Sequence, residues 1–249
     1  MSLDACADLV QRGDPDRFRA AMIAPMPVRG DLIALYAFNL EVSRAPWVTQ
    51  EPMIAEMRVQ WWADVIDEIY DRRPVRAHEV AVPLAHAAEV HDLPRARFEA
   101  LIEARRLDAL RVDPEDWSSL ESYIDRTGGG LMGLAAQVLG AEGNGLKVAQ
   151  DFGWASGAAN YLGALPELLA RGRQPLPEDH SETAERLRHA GQERLKAARA
   201  RRADVPRRAR PAFLAGWQAD HKLGQVGLDL PPTEAPRATF LWRSLTGRW

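Results

Sequence analysis

The amino-acid sequence predicts an all-α fold. Apolar residues recur at helical spacing along most of the chain, and segments that alternate apolar and polar residues as a strand would are nearly absent. Proline and glycine interrupt this pattern between segments, for example at Pro46, Pro74, Gly140 and Gly172. No repeat with a period of roughly 20 to 50 residues is present, so the pattern favours a compact helical bundle over a solenoid.

Each predicted helix is an apolar-periodic segment that ends at such a break. The second helix is short because Pro25 and Pro27 stop it, and the third ends before Pro46. Asp92-Leu93-Pro94 separates the fifth helix from the sixth, and Gly140 and Gly172 follow the seventh and eighth. The predicted helices are 4–11, 20–24, 30–44, 54–70, 80–91, 95–106, 120–139, 146–170, 182–203, 208–223 and 237–245.

Length and composition narrow the function classes. A chain of 249 residues with 46% hydrophobic content predicts one domain over residues 1–249, which would bury roughly 70–75% of the surface of the unfolded chain. Lys and Arg total 32 against 35 Asp and Glu, a net charge of −3, which argues against nucleic acid as a partner. The single cysteine, Cys6, excludes a disulfide framework and is typical of a reducing compartment.

The sequence predicts a cytoplasmic protein, with peripheral contact to the inner membrane as a further option. No apolar run approaches the roughly 18 residues of a membrane span. The N-terminus carries Asp4 and Asp8 and lacks the basic region of a signal peptide.

The helix predicted over 54–70 carries three carboxylates, Asp64, Asp67 and Glu68, near one face. A metal site is one interpretation and a solvated helix face is the other, since Mg²⁺ generally needs ligands from a second element. Arg58 could hold an anion or form a surface ion pair. The apolar stripe predicted for this helix contains Met57, Trp61, Val65 and Ile69.

A glycine run interrupts the helix predicted over 120–139. Gly128, Gly129 and Gly130 are consecutive, and each costs about 1 kcal/mol relative to alanine in a helix. Two explanations remain open: a neighbouring helix or an extended apolar ligand approaches the bare backbone, or the helix breaks in two. Gly153 and Gly157 start a second face of small residues, which could line a tunnel or allow tight helix packing.

Several segments together resemble the squalene/phytoene synthase family. They are Tyr36-Ala37-Phe38, Met57-Arg58-Val59-Gln60-Trp61-Trp62, the Tyr123, Thr127 and Gly129 spacing, and the stretch from Asn160 to Pro177. The resemblance implies an all-α, single-domain helical bundle of the isoprenoid synthase (terpenoid synthase) type. In active members, two helices face each other across a cavity, and each presents a DxxxD pair that binds Mg²⁺. These ions hold the substrate diphosphates and neutralise the charge that develops as diphosphate leaves.

Carried onto this chain, the metal-binding pairs are missing. The first pair falls at Ser43 and Trp47, and the second at Ala164 and Leu168, so none of the four positions is acidic. The resemblance therefore predicts no catalytic and no metal-binding residue. The residues that it places around the family's cavity, as candidate ligand contacts, are Tyr36, Phe38, Ser43, Arg44, Trp47, Arg58, Gly129, Asn160, Ala164, Leu168 and Arg173.

Within the family, two segments look most like one branch. Ala37-Phe38-Asn39-Leu40-Glu41-Val42 and Met57-Arg58-Val59-Gln60-Trp61-Trp62 are similar to the branch that includes the complex I assembly factor 6 proteins. That resemblance implies a pseudoenzyme without a cofactor, whose partner is a protein or an isoprenoid-like lipid. The alternative is a divergent prenyl transferase in which Arg44, Arg58 and Arg173 take over from metal ligands; Mg²⁺ is expected only in that case.

The stretch from Arg186 to Arg210 is rich in arginine and carries apolar residues such as Leu187 and Leu195 at intervals. A basic amphipathic helix can lie on an anionic membrane surface. An exposed helix of a soluble protein is the competing interpretation.

Overall fold

The computed structural model describes residues 3–49, 51–177, 180–225 and 233–249, and the all-α prediction is confirmed in these ranges. Its α-helices are α1 Leu3–Gly13, α2 Pro15–Ile23, α3 Met26–Arg44, α4 Pro52–Tyr70, α5 Ala81–Val90, α6 Arg95–Ala109, α7 Trp117–Ile124, α8 Gly130–Val138, α9 Gly143–Ala170, α10 His180–Ala200, α11 Arg210–Leu214, α12 Ala219–Leu223 and α13 Arg237–Thr246.

Helices α3, α8 and α9 each contain a long buried stretch. In α3 every side chain from Leu32 to Leu40 is buried, and α8 is buried over nearly its whole length. A helix that is apolar on all sides belongs in the middle of a bundle, because no face of it gains from contact with water. The largest apolar cluster joins these helices to Cys6 in α1 and to Trp249, near the far end of the chain.

The helix predicted over 120–139 is not a continuous α-helix. A π-helical turn, Asp125–Gly129, lies between α7 and α8 and contains two of the three consecutive glycines. Such turns insert an extra residue into the helical ladder. The predicted helix over 208–223 is also divided, into α11 and α12.

The glycines of the π-helical turn and of α9 pack backbone against backbone. A Cβ atom on Gly128 would lie 2.6 Å from the carbonyl oxygen of Gly153 and 2.9 Å from the Cα of Gly157. A Cβ atom on Gly153 would lie 2.4 Å from the Cβ of Met132. Of the explanations for the glycine run, the structure shows the close approach of a second helix.

The carboxylates of α4 are held by arginines. Glu68 accepts from Arg76 at 2.6 Å, and this hydrogen bond lowers the pKa of Glu68. Asp67 accepts from Arg95, also at 2.6 Å. Across the described ranges, no group of three or more acidic, histidine or cysteine side chains is arranged to hold a metal ion.

The prediction of an apolar stripe on α4 was wrong at its first position, since the Met57 side chain is 66% exposed.

Helix α10 turns its apolar face inward. Ala184, Leu187, Gly191, Leu195 and Ala198 are buried, and α9 is its main neighbour. If α10 were to lie on a membrane, its apolar face would have to be free. Because this face packs against α9, the structure argues against membrane binding by α10. In the described part of the chain, no helix has the length and apolarity to cross a bilayer.

We predict opposite effects for alanine at two glycines of α9. Gly153→Ala should destabilise the protein by about 1–3 kcal/mol, because the new methyl group is forced into Met132 and Gly128. Gly163→Ala is the matched control: a Cβ there meets nothing within 4 Å, so helix propensity should stabilise the protein by up to about 1 kcal/mol. Urea unfolding measures both; equal effects of the two substitutions would contradict the packing described above.

Candidate functional site

A cavity of about 700 Å³ opens between α3 and α9. Its other walls come from the 3-10 turn Ala45–Trp47, the end of α6 with the loop after it, α7 and the π-helical turn. The volume is in the usual range for small-molecule sites.

The structure brings six of the predicted site residues together around this cavity. Ser43 and Trp47 lie on the wall formed by α3 and its 3-10 turn. Asn160, Ala164 and Leu168 lie on α9, and Arg173 lies just beyond it. All four positions that correspond to the family's carboxylates therefore line a single cavity.

The other five predicted residues do not line this cavity. Phe38 is buried in the core against Trp62 and Phe98, and Gly129 faces the carbonyl oxygen of Gln150. Arg44 is exposed with its guanidinium against Gly13, and Arg58 is exposed on α4. Tyr36 is buried beside a smaller pocket. Of the three arginines that could take over from metal ligands, only Arg173 reaches the cavity.

Trp47 and α9 are joined by a cation–π contact. The guanidinium carbon of Arg171 lies 4.9 Å from the centre of a Trp47 ring, and Arg171 donates to Glu167 at 2.6 Å. Contacts of this kind contribute about 0.5–1 kcal/mol at exposed sites. At the other motif position of this wall, the hydroxyl of Ser43 donates to the carbonyl oxygen of Leu40 at 3.1 Å. The two walls are thus connected by an aromatic ring and an arginine.

Arg173 holds two loops together beside the cavity. It donates to Asp113 at 2.8 Å and to the carbonyl oxygen of Val112 at 3.3 Å. Asp113 also accepts from the backbone N–H of Gln174 at 2.8 Å. Because the Arg173 side chain is only 9% exposed, these contacts fix the wall of the cavity.

A half-buried polar cluster was missed by sequence reasoning. Arg105 donates to Asp108 at 3.0 Å and to the hydroxyl of Tyr123 at 2.5 Å, and Tyr123 donates to Asp108 at 2.9 Å. Burial raises the pKa of Tyr123, so its hydroxyl remains protonated. Arg105 and Asp108 come from α6, which matched no motif, so only the fold could have placed them here.

Asp14 and Arg17 form a further ion pair in the cavity wall. The carboxylate of Asp14 also caps α2 by accepting from the backbone N–H of Arg17 at 2.9 Å. Nearby, Asn160 accepts from Lys222 at 2.8 Å.

The side chains present do not suit Mg²⁺ and a diphosphate. Four positions that would supply metal ligands hold serine, tryptophan, alanine and leucine. The carboxylates of Asp108, Asp113 and Glu167 remain in the walls, but each is engaged by an arginine. Mg²⁺ requires several free oxygen ligands in octahedral geometry. The arrangement can enclose an apolar molecule, and among the described residues the charges of its walls are paired within the protein except that of the exposed Glu115.

Comparison with known proteins finds a family match over most of the chain. Residues 10–244 match the family described as squalene/phytoene synthase. The chain is similar to the bovine (Bos taurus) protein named NADH dehydrogenase (ubiquinone) complex I, assembly factor 6, with 27% identity over 90% of this chain and 74% of that protein. It is similar to the homologue in Drosophila melanogaster, with 33% identity over 69% of this chain and 52% of the other.

A phytoene synthase from Cereibacter sphaeroides is also similar, with 29% identity over 72% of this chain and 53% of that enzyme. Two solved structures share the fold. A squalene synthase HpnC from Alicyclobacillus acidocaldarius has a TM-score of 0.75 and 17% identity, covering 89% of this chain and 91% of the other. A dehydrosqualene synthase in complex with a ligand has a TM-score of 0.79 and 15% identity, covering 98% and 95%.

Proposed function

Because the chain belongs to the squalene/phytoene synthase family but has Ser43, Trp47, Ala164 and Leu168 at the metal-binding positions, we propose that it acts without catalysis. In this proposal it is a binding and assembly factor for respiratory complex I that can also hold an isoprenoid-like lipid. The observation that carries the proposal is that all four replaced positions line one cavity. Without its metal ions, the family's chemistry has nothing to neutralise a leaving diphosphate.

The relatives support the protein partner. Proteins named complex I assembly factor 6 match from cattle, mouse, human, fly and slime mould, and the vertebrate matches span 84–90% of this chain. The names of these relatives therefore support complex I as the partner. The side chains of the cavity walls support the absence of catalysis.

A divergent prenyl transferase is the second candidate. The cavity of about 700 Å³ and the similarity to a phytoene synthase favour it. That mechanism would need free cations in place of Mg²⁺. Arg44 and Arg58 lie off the cavity, and Arg173 is engaged by Asp113.

We expect no Mg²⁺-dependent release of diphosphate from farnesyl or geranylgeranyl diphosphate by the folded protein. The variant with Ser43→Asp and Trp47→Asp should also be inactive, because Ala164 and Leu168 still leave the α9 wall without metal ligands. A phosphate-release assay beside an active phytoene synthase measures this. Metal-dependent turnover by the wild-type protein would establish the prenyl transferase instead.

Loss of the chain from its native cell should lower the amount of assembled complex I. Native gels and NADH–quinone oxidoreductase activity measure the defect. The wild-type gene should restore both, and so should the variant Glu115→Gln/Glu167→Gln, which removes two carboxylates that line the cavity. Normal complex I in the deletion strain would refute the assembly role, whereas failure of the variant, if it is folded and present at normal level, would point to chemistry at those carboxylates.

We also propose a peripheral contact with an anionic membrane, through a second surface. This C-terminal groove, of about 450 Å³, is lined by Ile23, Arg207, Arg210, Pro211, Leu214, Arg243, Ser244, Leu245, Thr246, Gly247 and Trp249. Among the described residues, no carboxylate lies within 4 Å of the guanidinium groups of Arg207 and Arg210. Leu245 is 86% exposed beside them. Free arginines beside exposed apolar side chains complement anionic headgroups and the acyl boundary.

Replacing both free arginines should weaken vesicle binding. Each cation near an anionic surface contributes about 1 kcal/mol, so Arg207→Gln/Arg210→Gln should lower affinity for phosphatidylglycerol vesicles by roughly twenty- to thirtyfold. Arg12→Gln/Arg58→Gln is the control, since it removes two exposed arginines that do not line the groove. Sedimentation with anionic and with phosphatidylcholine vesicles measures both. Equal losses in the two variants would mean that the attraction is unspecific.

A further inference from the structure

A small pocket adjoins the cavity on its inner side. This inner pocket, of about 20 Å³, shares Arg17, Gly128, Leu131, Gly157 and Asn160 with the cavity. Its remaining lining residues are Tyr36, Met132, Gly153, Ser156, Ala215 and Gly216. Tyr36, Met132, Gly153, Ser156 and Gly216 are buried, so the pocket points from the cavity into the core.

Tyr36 lines this pocket and carries a polar atom without a protein partner. Its side chain is 1% exposed, and its hydroxyl makes no hydrogen bond with any described residue. Leaving a buried hydroxyl unpaired costs about 1–3 kcal/mol, so such a group usually has a partner in the working protein. Burial raises the pKa of Tyr36, and the phenol therefore offers a proton to an acceptor.

Ser156 is the other buried polar side chain of the inner pocket, and its hydroxyl is engaged: it donates to the carbonyl oxygen of Phe152 at 2.9 Å. The exposed Asn160 accepts from Lys222 through its Oδ1. The charge of Arg17 is balanced by Asp14. Among the buried side chains of the pocket, Tyr36 is thus the one whose donor is left for an oxygen of the ligand, with that oxygen as the acceptor.

The size of the inner pocket limits what that oxygen can belong to. A volume of roughly 10–15 Å³ holds one water molecule, so about 20 Å³ admits a single hydroxyl or carbonyl oxygen. A diphosphate group, with its many oxygens, is too large for it. An anion there would also find Arg17 already neutralised by Asp14.

We propose that the cavity takes an uncharged isoprenoid-like lipid, with an apolar chain in the large cavity and one terminal oxygen that accepts from the Tyr36 hydroxyl in the inner pocket. A prenyl alcohol and a prenyl aldehyde both have this chemistry. The proposal rests on the proposed function, since it names the lipid that a non-catalytic member would hold.

Binding of farnesol, farnesal, farnesene and farnesyl diphosphate to the full chain tests the proposal, by isothermal titration calorimetry with and without Mg²⁺. The wild-type protein should bind farnesol or farnesal roughly fivefold more tightly than the hydrocarbon farnesene, the value of one neutral hydrogen bond. It should bind farnesyl diphosphate more weakly than farnesol in both conditions. The comparison of farnesol with farnesal shows whether a hydroxyl or a carbonyl is preferred.

Tyr36→Phe removes only the hydroxyl. Affinity for farnesol should fall about fivefold while affinity for farnesene is unchanged. Thermal stability should not fall, because the removed group has no protein partner. Tyr70→Phe is the control: its hydroxyl donates to Leu93 and does not line either pocket, so ligand affinity should be unaffected.

Three results would overturn the proposal: equal affinity of the wild-type protein for farnesol and farnesene, no effect of Tyr36→Phe on farnesol binding, or tighter binding of farnesyl diphosphate. The second result would mean that the inner pocket serves only a water molecule. None of them contradicts the assembly role. Release of diphosphate would contradict the proposed function itself, and the two failures are therefore distinguishable.

Discussion

Helix α9 approaches the π-helical turn Asp125–Gly129 so closely that neither side has room for a Cβ atom at the contact. Gly128, Gly153 and Gly157 make this approach possible. The same face of α9 continues, at spacings of three and four residues, to Asn160, Ala164 and Leu168, which line the cavity. The glycine contact therefore fixes the rotation of α9 and with it the side chains that face the ligand space.

The positive charges that line the cavity are paired within the protein. Arg17, Arg105, Arg171 and Arg173 are each paired with a carboxylate of the walls. Breaking the pair of Arg17, Arg105 or Arg173 to bind a phosphate would leave a partly buried carboxylate without its partner, which is costly. The ion pairs thus stabilise the walls and at the same time reduce the attraction for an anionic ligand.

Much of the fold could be predicted from the sequence, because apolar periodicity and the breaks at proline or glycine are local signals. They gave the helical class and the order of the helices, and the family's motif spacing gave Ser43, Trp47, Ala164 and Leu168 as neighbours of one cavity. Contacts that are set by the packing of the folded chain could not be predicted from the sequence. Arg171 over Trp47, Arg105 with Asp108, and the burial of the α10 apolar face by α9 are set by tertiary packing.

The cavity is open although Ser43, Trp47, Ala164 and Leu168 stand where the family resemblance places carboxylates, and the packing explains why. Its shape depends on the glycine contact and on the Arg173 contacts that join two loops, and neither involves the four replaced positions. Trp47 occupies one of those positions and meets Arg171 at the wall of the cavity, adding apolar surface where a carboxylate would attract ions. Enclosing an apolar chain requires such surface and the exclusion of water, whereas diphosphate chemistry requires uncompensated positive charge. The proposed function without catalysis therefore agrees with walls that offer apolar surface and arginines already paired with carboxylates.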